Sequence, residues 1–198
     1  MSDGKRKYEK KRRAEAEAQT RLRITESAVE LHGSLGPAQT TMSAVAEHAG
    51  VRRSTLYRHF PDERALFGAC SAHWAEANPP PDIGAWAAID DPTERLDTAL
   101  AELYAYYRRT GEMLDKLLRD APTVPVVDEL MGAFRLFTAE ALKILMRGKG
   151  LRGNAAKRTR AAIGHALAFR TWQQLTREEE LDDAAAAELM SRLVAVAA

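Results

Sequence analysis

The sequence of 198 residues contains a single cysteine, Cys70, so no disulfide can form within the chain and no cysteine-rich metal site is available. It contains no run of about 20 apolar residues that could span a membrane. Its N-terminus lacks the apolar segment of a signal peptide. From these absences we expect a protein of the reducing cytoplasm with no membrane partner.

Patterns typical of catalysis and metal binding are also missing from the sequence. The five histidines are not spaced with carboxylates or thiols in the way that metal ligands are. Neither a glycine-rich phosphate loop nor a nucleophile motif occurs. We therefore predict that the protein is not an enzyme, has no catalytic residues, binds no metal and uses no cofactor.

Charge is divided unevenly along a chain whose formal net charge is only +1. Residues 1–64 hold 13 Lys and Arg against 9 Asp and Glu, whereas residues 65–198 hold 16 against 19. A basic N-terminal part joined to a slightly acidic body is typical of a nucleic-acid-binding domain attached to another domain.

Apolar residues recur at helical spacing through most of the chain, and no segment shows the alternation of a β-strand, so an all-α fold is predicted. The first helix is expected to begin well before Arg21 and to end near His32, with Thr40 or Thr41 capping the second. A later helix, capped by Asp62, is expected to end before Pro79–Pro81, and a stiff loop covers 82–92. The two final helices are predicted at about 154–176, capped by Asn154, and at 182–196.

A helix-turn-helix is predicted within residues 40–67. Apolar residues follow helical spacing as far as Ala49, and Gly50 then ends the helix, because a left-handed backbone is inexpensive only for glycine. Four residues lead from Ala46 to Gly50 and six more to Leu56, the spacing that packs the second helix on the first. This motif places its second helix in the major groove of DNA.

The exposed side of that second helix suits contact with DNA. No acidic residue lies between Glu47 and Asp62. Arginine can bind phosphates or read guanine edges, and hydroxyl groups reach phosphate oxygens. Such side chains are concentrated within eight residues: Arg52, Arg53, Ser54, Thr55, Tyr57, Arg58 and His59.

Three short motifs stand in this segment: AGV at 49–51, STLYRHFP at 54–61 and ALF at 65–67. Together they resemble the DNA-binding domain of the TetR family of bacterial transcriptional repressors, over roughly residues 21–67. The resemblance implies three N-terminal helices for DNA binding, a connecting helix and a helical regulatory domain. We accordingly expect an N-terminal arm and DNA-binding domain in residues 1–64 and a regulatory, dimerising domain in 65–198.

The resemblance also implies roles for individual side chains. Arg58 lies far enough along the second helix to reach base edges, whereas Thr55 and Tyr57 match positions that usually hold phosphates. Alternatively, Tyr57 and His59 pack against the first helix. The predicted DNA-binding set is Thr41, Arg52, Arg53, Ser54, Thr55, Tyr57, Arg58, His59 and Arg64.

Two residues depart from the family pattern. Arg52 stands where a small capping residue, commonly serine, follows the turn. Because arginine cannot cap a helix, either the cap shifts or Arg52 gains a phosphate contact. Glu63 replaces a lysine that often binds phosphate at the start of the fourth helix, so that contact either passes to Arg64 or is lost.

Residues 5–13, KRKYEKKRR, hold seven basic residues and one acid, and run directly into the predicted DNA-binding domain. They form either an arm laid against phosphates, adding salt-dependent affinity, or a solvated tail without a role in binding.

The C-terminal half is rich in aromatic residues on predicted helices. Such residues line apolar ligand pockets in helical bundles, although an ordinary core uses the same residues. The candidate pocket residues are Trp86, Leu103, Tyr107, Met113, Phe134, Phe137, Phe169 and Trp172.

One recognition helix reads only a few base pairs, so we expect a homodimer on a palindromic double-stranded operator with major grooves about 34–36 Å apart. The alanine-rich last two helices are predicted to form the dimer interface. The function predicted is a repressor released by a small, largely apolar effector. The alternative is a DNA-binding regulator whose helical body is a protein-interaction module controlled by a partner protein.

Overall fold

A computed structural model of the chain describes the backbone of residues 2–198 and the side chains from Arg6 onwards. Throughout this range the fold is all-α, as predicted. A 3₁₀ turn at Pro37–Gln39 precedes the second helix, and a π turn covers Gln174–Glu178. The α-helices are α1 Ser2–Ser34, α2 Met42–His48, α3 Arg53–His59, α4 Glu63–Ala77, α5 Ile83–Ala87, α6 Pro92–Asp120, α7 Pro125–Met146, α8 Gly153–Ala166, α9 Phe169–Gln173 and α10 Asp183–Val196.

The helices form two compact units. The first contains the described residues up to Ala77 together with Asp115–Glu129, and the second contains Asn78–Leu114 and Leu130–Ala198. Helix α4 lies wholly in the first unit, where its Phe67 stacks on His32 of α1 with the ring centroids 4.4 Å apart. The functional division between residues 64 and 65 stays a prediction, whereas packing places α4 with the N-terminal helices.

The core of the first unit is built where α1 meets the three helices that follow it. Ile24 and Ala28 on α1 are completely buried, as are Leu56 on α3 and Phe60 just after it. Burial of four such side chains stabilises the domain chiefly by removing apolar surface from water. The burial of Leu56 agrees with the spacing that packs the second helix on the first.

The predicted helix caps are largely correct. The Thr41 hydroxyl accepts a hydrogen bond from the Ala44 amide at 3.1 Å, and the Asp62 carboxylate accepts one from the Ala65 amide at 2.8 Å. Side chains of this kind satisfy amides that the first helical turn leaves unpaired. Helix α8 is an exception: it begins at Gly153, and its N-cap is Arg152 instead of Asn154.

The loop between α1 and α2 is held by the end of α6, within the first unit. The Ala38 amide donates to the Asp120 carboxylate at 2.9 Å, and the Arg119 guanidinium donates to the Leu35 carbonyl at 3.1 Å. Gly36 has φ +95°, and a side chain there would collide with both Arg119 and Asp120. The guanidinium of Arg119 also lowers the pKa of the Asp120 carboxyl. The loop that leads into α2 therefore depends on a salt bridge whose residues lie 82 and 84 positions after their partners in the loop.

The prediction of a stiff loop throughout 82–92 is wrong, because α5 occupies its first half. The Asp82 carboxylate accepts a hydrogen bond from the Gly84 amide at 2.8 Å and so caps this short helix. Trp86 is completely buried and donates from Nε1 to the Glu102 carboxylate at 2.7 Å. The short helix α5 thus carries the buried indole in place of the predicted loop.

The single helix predicted for about residues 154–176 is also wrong. Helix α8 ends at Ala166, and α9 starts at Phe169 after an extended residue, Ala168. Two buried tyrosines make this break possible: the Tyr104 hydroxyl donates to the Ala166 carbonyl at 2.9 Å and the Tyr107 hydroxyl to the Leu167 carbonyl at 2.7 Å. Carbonyls freed from helical bonding are thereby satisfied inside the second unit.

Candidate nucleic-acid interface

The predicted helix-turn-helix consists of α2, a glycine turn and α3. Gly50 has φ +62°, and the Val51 amide donates back to the Ala46 carbonyl at 2.9 Å. This pattern is typical of a helix that ends in a left-handed glycine. Val45 and Leu56, one on each helix, are no more than 1% exposed, so α3 is held against α2 by buried apolar contact.

Packing on one side of α3 leaves its other side exposed to solvent. Arg53, Ser54 and Arg58 are exposed, and Tyr57 is 42% exposed. Thr55 is half-buried. The surface contains cations, hydroxyl groups and an aromatic ring and no carboxylate, which is the chemistry that phosphates and base edges require.

Arg52 occupies the N-cap position of α3, so the cap has not shifted along the chain. Its backbone is extended, with φ −69° and ψ 147°, and its side chain makes no capping hydrogen bond. Its carbonyl accepts from the Thr55 and Leu56 amides at 2.9 and 3.1 Å and so begins the helix. Because the guanidinium is exposed and makes no capping bond, it can contact a phosphate at the amino end of α3.

His59 differs from its neighbours because the Nε2 atom of its ring is buried without a hydrogen-bond partner. Its carbonyl accepts a hydrogen bond from the Arg21 guanidinium at 2.6 Å. The guanidinium of Arg21 also lies 4.1 Å above the ring of Phe60. The buried Nε2 atom is hidden from solvent. This agrees with the alternative that His59 packs on the first helix.

Two other predicted contacts already have partners within the first unit. Arg64 forms an ion pair with Glu129, with nitrogen–oxygen distances of 2.7 Å, and both side chains are exposed. The Thr41 hydroxyl caps α2 but remains at the surface. Exposed ion pairs are weak, so Arg64 can exchange Glu129 for a phosphate.

Sequence reasoning missed Arg21 as a residue that positions α3. Its spacing from Glu17 is that of an (i, i+4) pair along α1, whereas its hydrogen bond reaches His59, 38 residues ahead in the chain. Local patterns describe neighbours at helical spacing and contain no signal for such a distant carbonyl. An arginine at the point where α1 enters the apolar core was the available clue.

The predicted ligand-pocket residues come together in the second unit as one chain of ring contacts. The Phe137 ring lies 6.1 Å from Trp86 and 6.4 Å from Phe134. The Tyr107 ring lies 6.4 Å from Phe134, 5.3 Å from Phe169 and 5.8 Å from Trp172. Such offset and tilted pairs stabilise an apolar cluster beyond simple burial.

The members of this cluster differ in exposure and in polar contacts. Trp86, Tyr107 and Trp172 are almost completely buried, as is Leu103, whereas Met113, Phe134 and Phe137 are half-buried. Burial raises the pKa of the Tyr107 phenol, which keeps it as a hydrogen-bond donor. Trp172 donates from Nε1 to Asp183 at 2.9 Å. The half-buried rings are the part of the cluster that a ligand could reach, and their role in a pocket stays a prediction.

Two further findings concern membrane spans and metal sites among the described residues. Within residues 2–198, no helix is long and apolar enough to cross a membrane. In the part of the chain with described side chains, no group of three or more His, Cys, Asp and Glu residues is placed to hold a metal ion.

Comparison with known proteins agrees with the fold and with the N-terminal motif. Residues 24–70 match the family model described as bacterial regulatory proteins, tetR family. No protein of curated function matches the chain in sequence.

Solved structures resemble most of the chain in fold. A TetR-like transcriptional regulator from Rhodococcus sp. RHA1 is 19% identical, with a TM-score of 0.63 over 88% of this chain and 93% of its own. A protein of Clostridium perfringens, described as a candidate fatty acid metabolism regulator, is 16% identical, with a TM-score of 0.63 over 89% and 98%. A TetR transcription regulator of Haloarcula marismortui is 15% identical, with a TM-score of 0.59 over 91% and 97%. At such identities the likeness concerns the fold.

Proposed function

We propose that this chain is a TetR-like transcriptional repressor released from its operator by a small, largely apolar ligand, since residues 24–70 match the family model of bacterial regulatory proteins, tetR family. The observation that carries the proposal is the exposed face of α3. There Arg52, Arg53 and Arg58 stand beside hydroxyl groups on a helix fixed by buried contacts. This arrangement suits a helix that enters the major groove.

Within this proposal each side chain has a distinct role. Arg58 reads base edges, while Arg52, Arg53 and Ser54 bind phosphates at the start of α3. Thr55 and Tyr57 hold phosphates along the helix. Thr41 and Arg64 add contacts from the starts of α2 and α4, with Arg64 leaving Glu129 to do so. His59 contributes through its carbonyl, which fixes Arg21, and its ring serves the domain core.

We propose that the protein acts as a homodimer formed through α8 and α10. These helices pack against each other within the second unit. Leu189, Leu193 and Val196 are spaced along one side of α10 and remain 44, 39 and 80% exposed. A second copy would cover this apolar stripe. Two recognition helices related by two-fold symmetry would then read a palindromic operator.

The ligand is proposed to act by changing the populations of two dimer states. The aromatic cluster around Tyr107 is the binding region, and α6 carries both Tyr107 and Asp120, which bonds the loop before α2. Helix α6 contributes residues to both compact units, whereas α4, the connecting helix that the family resemblance implies, lies in one. We therefore assign the coupling to α6 as well as α4.

Arg58→Ala is expected to weaken binding to an operator about 10–100-fold and to weaken binding to random duplex much less, because a base contact contributes about 1–3 kcal/mol of discrimination. Tyr57→Phe, which removes only a phosphate-directed hydroxyl, should weaken both alike. The measurement is fluorescence anisotropy with an operator that the protein itself selects from random duplexes. Equal losses on both DNAs for Arg58→Ala would remove Arg58 from base reading.

A small apolar effector is expected to raise the melting temperature and to reduce operator affinity in the same concentration range. Saturation at 100 times the Kd stabilises the native state by about 2.7 kcal/mol. Fatty acids head the panel, since a structural neighbour is described as a candidate fatty acid metabolism regulator. Phe137→Ala should abolish the shift while leaving operator binding intact. A ligand that stabilises the protein without changing operator affinity would contradict the mechanism, and control by a partner protein would then be favoured.

A further inference from the structure

The amino-terminal part of α1 is a helical arm with no packing partner among the described residues. We define this arm as residues 6–20; every side chain from Arg6 to Gln19 is exposed. Helix α1 is continuous from Ser2 to Ser34, so the arm extends from the same helix that buries Ile24 in the domain core. Residues 6–13 contain six basic residues and one acid.

The basic residues of the arm are not spread evenly around its axis. At about 100° per residue, Arg6, Lys7 and Lys10 lie within about 60° of Arg21. Arg21 faces α3, because it donates to the carbonyl of His59, the last residue of that helix. The basic face of the arm therefore lies on the same side of α1 as the carboxyl end of α3. Arg12 lies on the opposite side, about 180° from Arg21.

We propose that this basic face binds the phosphates that flank the base pairs read by α3, so that the arm forms a second DNA contact. The inference rests on the proposed function only in assuming that α3 enters the major groove. With a rise of about 1.5 Å per residue, Arg6 lies about 22 Å beyond Arg21 along the helix, a reach of about six base pairs. Complementary charge and the lack of an apolar stripe on the arm favour DNA over another protein helix as its partner.

The test measures how strongly binding depends on salt. Each phosphate contact contributes about 0.9 to the slope of log affinity against log salt concentration. The triple variant Arg6→Gln, Lys7→Gln, Lys10→Gln should reduce the size of this slope by about 2–3 for each arm, and so by about 5 for the proposed dimer, on duplexes of about 40 base pairs, both operator and random. Arg6→Lys, Lys7→Arg, Lys10→Arg should retain it. Circular dichroism should show unchanged folding, because these side chains are exposed and glutamine suits a helix.

A matched pair of single variants separates a directed contact from a general effect of charge. Lys10→Gln and Arg12→Gln remove the same charge two residues apart, from opposite sides of the helix. The slope should fall by about 0.9 for each arm, and so by about 1.8 for the proposed dimer, for Lys10→Gln, and should hardly change for Arg12→Gln. Equal changes for the two variants would overturn the proposal, and so would a triple variant whose slope matches the unchanged protein.

Two further results distinguish this proposal from failure of the proposed function. If Arg58→Ala abolishes preference for the operator while the arm variants bind DNA normally, the arm proposal alone is overturned. If arm variants lose salt-dependent binding to random duplex while Arg58→Ala has no effect, the arm proposal stands and base reading by α3 is overturned. Binding of the arm to phosphatidylglycerol vesicles or single-stranded RNA in preference to duplex DNA would also overturn the arm proposal.

Discussion

Arg95→Met is expected to lower the free energy of unfolding by about 3 kcal/mol, because it removes the only cation that serves four buried or half-buried carbonyls among the described contacts. Arg95 is 5% exposed near the start of α6. Its guanidinium donates to the carbonyls of Ile89 and Asp90, at 2.8 and 2.9 Å. It also donates to the carbonyls of Ile144 and Arg147, at 3.1 and 2.9 Å.

The size of this effect follows from what methionine cannot do. It can fill much of the space of the arginine stem, but among the described contacts it leaves the carbonyls of Ile89, Asp90 and Arg147 without a donor. The Ile144 carbonyl loses one of two donors and keeps the Arg147 amide at 3.1 Å. Two of the four carbonyls belong to the carboxyl end of α7, where a cation is also favoured by the helix dipole. Urea unfolding followed by tryptophan fluorescence measures the loss directly, since Trp86 lies in the same unit.

Two substitutions serve as controls: one keeps the charge at position 95, and the other makes the same change at an exposed arginine. Arg95→Lys should recover only part of the stability, because one ammonium group cannot match the fork of donors on a guanidinium. Arg160→Met, at an exposed site on α8, should change stability by less than about 0.5 kcal/mol. A loss for Arg95→Met no greater than that for Arg160→Met would show that water satisfies these carbonyls equally well.

Local chemistry explains which parts of the fold could be predicted from the sequence. Gly50, Thr41 and Asp62 act on backbone groups within a few residues, so their types and positions were sufficient to predict the turn and two helix starts. The buried Leu56 followed equally well from spacing. These features together define most of the helix-turn-helix.

Features that depend on distant partners could not be predicted in this way. The break after Ala166 requires hydroxyl groups from Tyr104 and Tyr107, some 60 residues earlier in the chain. Without knowing that these phenols would meet α8, the sequence favours one uninterrupted helix. Charge patterns likewise gave no reason to pair Arg64 with Glu129 or Ala38 with Asp120.

The candidate site shows the same division. The exposed face of α3 follows from which residues its core requires, so the basic residues there were predictable as a surface. The buried Nε2 of His59 was not, because it depends on how α1 and α3 meet. The orientation of the basic arm likewise became visible only once the contact of Arg21 with His59 was known.

His32 gives the first unit a dependence on pH that the sequence does not reveal. The imidazole is 4% exposed, stacks on Phe67 at 4.4 Å and places Nδ1 3.5 Å from the Cys70 thiol. Glu63, at the start of α4, lines the small crevice that borders this ring. Burial lowers the pKa of His32 from 6.5 to about 4 and raises that of Cys70 to about 11. Both groups are therefore neutral in the folded domain at neutral pH.

Acidification is expected to destabilise the domain through His32. Between pH 6.5 and about 4 the unfolded chain binds a proton at this histidine and the folded domain does not. The free energy of unfolding should therefore fall by about 3 kcal/mol across this interval, in addition to the contribution of carboxylates. Helix α1 carries His32 and supports α3 through Arg21, so operator binding should be lost over the same range.

His32→Leu removes the titrating group while keeping an apolar side chain of similar size against Phe67. Urea unfolding at a series of pH values should show a shallower decline for this variant than for the unchanged protein, with a difference of about 3 kcal/mol by pH 4. His73→Leu retains His32 and should retain the full decline. If the free energy of unfolding falls with pH equally in the two variants, the lowered pKa of His32 does not govern the acid stability of the domain. If only His32→Leu keeps its stability in acid, protonation of the buried His32 imidazole sets the lowest pH at which the folded domain supports α3.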